Sequence, residues 1–115
     1  MFEHPVYEGA VFSINFIHSV NQSPVSEVFE IRHGGIMLTA LEFEDFGAGM
    51  PVEAEPGQQL IRTENGLRLE NINREVYRLN YMVGHGVCIS LHIGELRVKL
   101  RELAQPGALV TIKVE

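Results

Sequence analysis

The sequence predicts an all-β protein: a single antiparallel β-sandwich of the immunoglobulin-like kind, with about 7–9 strands. Three observations predict this fold. Apolar and polar residues alternate with a period of two through most of the chain. Turn-forming residues separate the alternating segments at intervals of about 8–12 residues. The length of 115 residues suits one domain spanning 1–115.

The first half of the chain contains three predicted strands. In residues 11–18, Phe12, Ile14 and Phe16 fall on one face and polar residues fall on the other, as in a half-buried strand. Residues 25–44 form a predicted hairpin. Its turn is assigned to Gly34-Gly35 because glycine adopts positive φ without steric cost.

The second half continues the alternation between turn signals. Asn65-Gly66 is a strong hairpin signal, and Pro106-Gly107 precedes the last strand. Leucines at helical spacing let residues 95–105 compete as a helix, but apolar and basic residues alternate there and favour a strand. The predicted strands are residues 60–63, 67–69, 76–83, 87–93, 95–101 and 109–114.

Composition excludes several classes of protein. Nine Lys and Arg against fifteen Asp and Glu give a net charge of −6, which argues against nucleic acid or an anionic membrane as partner. The single cysteine, Cys88, excludes an internal disulfide framework and a multi-cysteine zinc site. No stretch of about 20 apolar residues is present, so membrane attachment would need an anchor outside this sequence.

No residue pattern indicates catalysis or a cofactor. The chain lacks the phosphate-binding, dinucleotide-binding, zinc-protease and serine-hydrolase motifs, and no nucleophile–base pair can be named. The five histidines show no compact ligand spacing, so no metal site is predicted. Cys88 is interpreted as a structural residue. The sequence therefore predicts a non-enzymatic protein without a cofactor.

One polar segment is unusual. His18 and Glu27 stand at two strand ends that a short polar connection joins, and an imidazole can hydrogen-bond a carboxylate across such a junction. The segment is either a polar clamp that fixes the loop or a binding edge. Residue chemistry alone favours the clamp.

The same segment carries a family resemblance. His18-Ser19-Val20, Pro24 and Glu27, followed by Gly47-Ala48-Gly49-Met50-Pro51, resemble the pattern of a bacterial family, the domain of unknown function 1850. The resemblance extends from about Gly9 to Val114. Asn21 departs from the pattern, because the family usually has Glu there.

The resemblance implies a cellular context and no enzymatic activity. Members are typically small extracytoplasmic or membrane-anchored proteins, encoded beside the permease and the TAXI-type solute receptor of tripartite (TRAP) transporters. It therefore implies an accessory or partner-binding domain, with that permease or receptor as partner. We expect an extracytoplasmic location if a signal or anchor precedes Met1, and a cytoplasmic one if Met1 is the natural start.

Hairpin geometry predicts that both motifs share one end of the sandwich. The strand that Glu27 begins is paired with the strand that Phe43 ends, so the glycine-rich loop should return near Glu27. The predicted binding residues are His18, Ser19, Glu27, Gly47, Ala48 and Gly49. His18 would pair with Glu27, Ser19 would donate a hydrogen bond, and the glycines would allow close backbone approach. The alternative is a small-molecule or cation-binding domain that uses His18, Glu27 and Asp45.

Overall fold

The computed structural model describes residues 2–17, 23–44, 54–64, 66–84 and 88–115. Within these ranges the chain forms ten β-strands and one turn of 3₁₀ helix, Leu100–Glu102. Nowhere in these ranges is there a helix of the length and apolarity needed to cross a membrane. The strands are β1 Val11–Ile17, β2 Pro24–Arg32, β3 Gly35–Phe43, β4 Gln59–Thr63, β5 Gly66–Glu70, β6 Arg74–Val76, β7 Leu79–Met82, β8 Ser90–Ile93, β9 Leu96–Lys99 and β10 Leu109–Ile112.

The strands form two antiparallel sheets. The main sheet has the order β4-β5-β3-β2-β1-β8-β9, and β6 pairs with β3 beyond the end of β5. The second sheet contains β7 and β10. The predicted all-β sandwich is confirmed. Its division into eight and two described strands differs from the nearly equal sheets of an immunoglobulin domain.

The apolar face of the main sheet builds the core. Alternate residues of β1 and β2 point inward because side chains alternate across a strand. Phe12 and Phe29 face each other in register, with ring centroids 5.2 Å apart. Ile14 is fully buried, and Leu79 from the second sheet packs against the same cluster. Each such side chain stabilises the fold by about 1.5–3 kcal/mol.

The first hairpin turns one residue earlier than predicted. Arg32 pairs with Gly35, so the two turn residues are His33 and Gly34, with φ of 54° and 72°. A two-residue turn of this type needs positive φ at both central positions. Gly34 meets that need easily, and His33 adopts the left-handed conformation as well.

Two later segments also differ from their predictions. The predicted strand 76–83 divides at the exposed residues Tyr77 and Arg78, and its halves join different sheets. The predicted strand 95–101 is present as β9 but ends at Lys99, where the 3₁₀ turn begins. Residues 85–87, between the predicted strands 76–83 and 87–93 and at the start of the second, lie outside the described ranges.

The main sheet has two distinct ends. Ile17 pairs with Pro24, and Val25 pairs with Phe43; we call the end formed by these residues the loop-bearing end. The opposite end carries the turn of β2 and β3, and we call it the hairpin end. Val76 pairs with Ile36 at the hairpin end, and Tyr81 contacts Glu27 nearer the loop-bearing end, so β7 runs toward the loops.

The chain enters β1 and leaves β10 near the hairpin end. The N–H of Gly9 donates to the carbonyl of Ile31, which holds the N-terminal segment beside the β2–β3 turn. β10 runs antiparallel to β7 and therefore returns from the loop-bearing end. Val114, after β10, packs against the core cluster that contains Ala10 and Ile36.

Candidate binding surface

Both motif segments leave the main sheet at the same end. The chain departs from β1 after Ile17 and returns at Pro24, and it departs from β3 after Phe43. The pairing of Val25 with Phe43 places these departures beside each other. The predicted site residues on the segments, His18, Ser19, Gly47, Ala48 and Gly49, and Asp45 of the alternative site, lie outside the described ranges.

Glu27 lies on the inner face of the main sheet. It occupies a cross-strand row whose other members are Leu91, Ile14, Leu41 and Leu69. A half-buried carboxylate among apolar residues destabilises the fold unless it accepts a hydrogen bond. Tyr81 Oη from β7 donates a hydrogen bond to Glu27 Oε1 at 2.8 Å. Glu27 therefore links the two sheets, and its binding role stays a prediction.

Tyr81 is held in its neutral form. Burial is the largest cause that raises the pKa of the Tyr81 hydroxyl, and the hydrogen bond to Glu27 and the charge of that carboxylate raise it further. All three causes act in one direction because each penalises a phenolate at this position. The Tyr81 hydroxyl therefore keeps its proton and donates the hydrogen bond that joins the two sheets.

The outer face of the main sheet carries a row of polar residues toward its loop-bearing end. Asn15 pairs with Ser90 on one side and with Ser26 on the other, and Ser26 pairs with Glu42. These four residues lie side by side on β8, β1, β2 and β3, and we call them the polar row. Register alone brings them together, since they come from distant parts of the chain.

The polar row lines a cavity of about 610 Å³. Cys88 and Glu44 line it as well, next to the ends of β8 and β3. Ile17 and Pro24 line it from the same outer face. Phe16, Val25 and Phe43, whose side chains belong to the inner face, line it at the end of the sheet. A concave, largely apolar space with a few convergent polar groups is the usual form of a binding site.

Hydrogen bonds fix several side chains of this face. Asn15 Nδ2 donates to Ser13 Oγ at 3.0 Å, and Ser90 Oγ lies 3.1 Å from His92 Nε2. Arg68 donates to Glu42 and, at 2.8 Å, to Glu70 Oε1. The cavity floor therefore consists of oriented hydroxyl, amide and carboxylate groups.

His92 stays neutral near pH 7. Burial lowers the pKa of its imidazole from the usual 6.5, and the nearby charge of Arg97 lowers it further. In the neutral tautomer with no proton on Nε2, this atom accepts a hydrogen bond from Ser90 Oγ, so the pair is a hydrogen-bonded hydroxyl and imidazole. This pair joins two residues of one strand that the sequence prediction did not connect.

The charged groups in the described lining of the cavity are the carboxylates of Glu42 and Glu44. Arg68 lies beside Glu42 but is shared with Glu70. Among the residues that the structure describes, no three His, Cys, Asp or Glu side chains converge as metal ligands would. The electrostatic character of the cavity is therefore acidic.

The polar row was not predicted from the sequence. The alternation in residues 11–18 does place Asn15 on the polar face, and that was the available signal. The partners of Asn15 depend on strand order and register, because β8 follows β1 by more than 70 residues yet lies next to it.

Comparison with known proteins identifies the family. Residues 12–100 match the family described as Domain of unknown function (DUF1850). No curated protein matches the chain, and no solved structure matches it. The matched range begins at the second residue of β1 and includes β2 to β9 and every residue of the polar row. The chain therefore belongs to the DUF1850 family.

Proposed function

We propose that this domain is a non-enzymatic, extracytoplasmic partner-binding module of a TAXI-type TRAP transport system. The permease or the solute receptor of that system is the proposed partner. The loop-bearing end of the main sheet, with His18, Ser19 and Gly47 to Gly49 on the segments that leave it, is the proposed working surface. The transporter context rests on what the family resemblance implies.

One observation carries this proposal. The strand ends from which both motif segments leave lie side by side at one end of the main sheet, because Ile17 pairs with Pro24 and Val25 pairs with Phe43. Loops gathered at one end of a β-sandwich commonly form its binding surface, because the strands fix where the loops begin and end. The cavity at this end adds a concave feature to the same surface.

The position of the chain termini supports the same proposal. The segment before β1 and the segment after β10 lie near the hairpin end. Attachment through either terminus therefore leaves the loop-bearing end free. This arrangement suits a domain that is tethered at one end and binds a partner at the other.

Binding of a small molecule or a cation is the second candidate. The cavity volume of about 610 Å³ supports it, because ligand pockets usually measure about 300–1,000 Å³. A rise in melting temperature on addition of calcium or zinc would favour this candidate, since a ligand that binds the folded state stabilises it.

Capture of the cognate permease or receptor by the purified domain tests the first proposal. His18→Asn changes a motif residue, and His33→Asn is its matched control. His33 is exposed in the turn at the hairpin end, and asparagine tolerates the left-handed conformation found there. We expect His18→Asn to weaken capture about tenfold or more, the effect of a central contact, while melting stays close to wild type.

Three results would contradict the proposal. They are unchanged capture by His18→Asn, equal loss of capture in both variants, and loss of capture in proportion to loss of stability. The last result would make His18 a structural residue of the loop.

A further inference from the structure

The cavity at the loop-bearing end has the form of a groove for a side chain. Its floor is the polar row on the outer face of the main sheet. Ile17 and Pro24 continue the same face toward the end of the sheet, because side chains alternate along each strand. A ligand side chain in this groove would contact apolar groups near the end and hydroxyl and amide groups further in.

The charges in and beside the groove select the ligand. Glu42 and Glu44 line it, and its described lining contains no Lys, Arg or His. Arg68 offsets only part of this negative charge, because Glu42 and Glu70 share its single positive charge. Lys99 pairs with Ser90 at the opposite end of the polar row, away from the two carboxylates. The whole chain is also acidic, with a net charge of −6. These charges attract a cation and repel an anion.

The lining also indicates which kind of cation fits. A compact metal site needs several convergent oxygen, nitrogen or sulfur ligands, and the described residues do not provide three. Ile17 and Pro24, both exposed on the outer face, instead offer apolar surface to a carbon chain. Arginine and lysine combine an aliphatic stem with a charged head that forms strong hydrogen bonds to carboxylates.

We propose that this groove docks a basic side chain, arginine or lysine, that a segment of the partner protein presents between apolar residues. The head lies against Glu42 and Glu44, with Ser26 as an additional acceptor. The stem lies along Ile17 and Pro24. This inference deepens the proposed function and rests on it for the identity of the partner, but its chemistry can be tested without that partner.

A peptide titration of the isotope-labelled full chain tests the inference. The probe is an acetylated and amidated pentapeptide with arginine at its centre and leucine on either side. Its control has glutamine in place of arginine. We expect the arginine peptide to shift the amide resonances of Asn15, Ser26, Glu42 and Ser90 and to bind more weakly at about 0.5 M salt than at about 0.05 M.

A matched pair of variants tests whether a carboxylate in the groove contributes to binding of the arginine peptide. Glu44→Gln removes a carboxylate from the groove, and Glu75→Gln removes an exposed one from β6, near the hairpin end. Both change the net charge equally. We expect Glu44→Gln to weaken binding of the arginine peptide about three- to fivefold, as loss of one partly exposed ion pair would, and Glu75→Gln to leave it unchanged.

Equal binding of the arginine and glutamine peptides would overturn the inference. So would equal weakening by the two variants, or resonance shifts confined to the hairpin end. If the peptide result fails while His18→Asn still abolishes capture of the partner, the docking of a basic side chain is wrong and the proposed function stands. If the peptide binds as expected but capture is unaffected by His18→Asn, the proposed function fails instead.

Discussion

Tyr81 on β7 donates a hydrogen bond of 2.8 Å to Glu27 on β2, and this bond joins the two sheets of the sandwich. The two residues are 54 positions apart in the chain. Glu27 belongs to the motif that identifies the family, yet its carboxylate points into the space between the sheets. At least one motif residue therefore has a structural contact in addition to any role in binding.

Removal of the Tyr81 hydroxyl should destabilise the domain. Tyr81→Phe leaves a half-buried carboxylate without this donor, so we expect the free energy of unfolding to fall by about 1–3 kcal/mol. Glu27→Gln should cost less, because the amide oxygen still accepts the bond. Urea unfolding at pH 7 measures both changes.

Tyr77→Phe is the matched control for Tyr81→Phe. Tyr77 is 96% exposed, so loss of its hydroxyl should change stability by no more than about 0.5 kcal/mol. Equal stability of all three variants and the wild type would show that the bond between Glu27 and Tyr81 contributes nothing.

Tyr81 should also resist ionisation in alkali. Its pKa lies well above the usual 10, chiefly because of burial. In the unfolded chain the hydroxyl ionises near 10, so the stability that Tyr81 contributes falls as pH rises above that value. Ultraviolet titration should give the same phenolate signal for the wild type and Tyr81→Phe until the protein unfolds. A larger signal from the folded wild type would be inconsistent with this environment.

His92 should titrate below its usual value of 6.5. Burial is the main cause, and Arg97→Gln should raise the pKa of His92 because it removes the nearby positive charge. Since the unfolded chain binds the proton more readily, the contribution of His92 to stability falls as pH decreases through 6.5. Nuclear magnetic resonance of the imidazole measures the pKa directly. A value at or above 6.5 would contradict the burial of this ring.

Glu8 should hold the β2–β3 turn through its carboxylate. The backbone N–H of His33 donates to Glu8 Oε1 at 2.5 Å, and this bond is the main cause that lowers the pKa of Glu8 below 4.5. Gly34 N–H donates as well. A lowered carboxyl pKa stabilises the fold above 4.5, and the effect is lost as pH falls through the folded value.

Hydrogen exchange at the turn checks the role of Glu8. Glu8→Ala should speed exchange of the His33 and Gly34 amides while leaving the core strands unchanged. Unaltered exchange at both amides would show that the carboxylate does not protect them in solution.

The strands were predictable because alternation is local. The half-buried strand at Val11–Ile17 and the hairpin of β2 and β3 follow directly from side chains that alternate across each strand. Alternation does not show which sheet a strand joins, because sheet membership depends on pairing with distant parts of the chain. Residues 76–83 alternate throughout, yet they divide between the two sheets at Tyr77 and Arg78.

The register of β2 and β3 could not be predicted from the sequence either, because β3 contains one extra residue. Val28 pairs with Ala40 but Phe29 pairs with Leu38, so Thr39 forms a bulge and its hydroxyl donates to the carbonyl of Val28. Counting from the turn without that bulge places Leu41 opposite Ser26, although Glu42 is the true partner. A shift of one residue exchanges the two faces of a strand, so the polar row could not be assembled from the sequence.

The position of the two motif segments is the central claim, and one distance tests it directly. Spin labels at Ser19→Cys and Ala48→Cys, in a Cys88→Ser background, report whether both segments lie at the loop-bearing end. The control pair is Ser19→Cys with His33→Cys, which spans the sheet; seven residues of strand extend about 23 Å. We predict a clearly shorter distance between positions 19 and 48 than between positions 19 and 33. A distance between positions 19 and 48 that equals or exceeds the control would contradict the account.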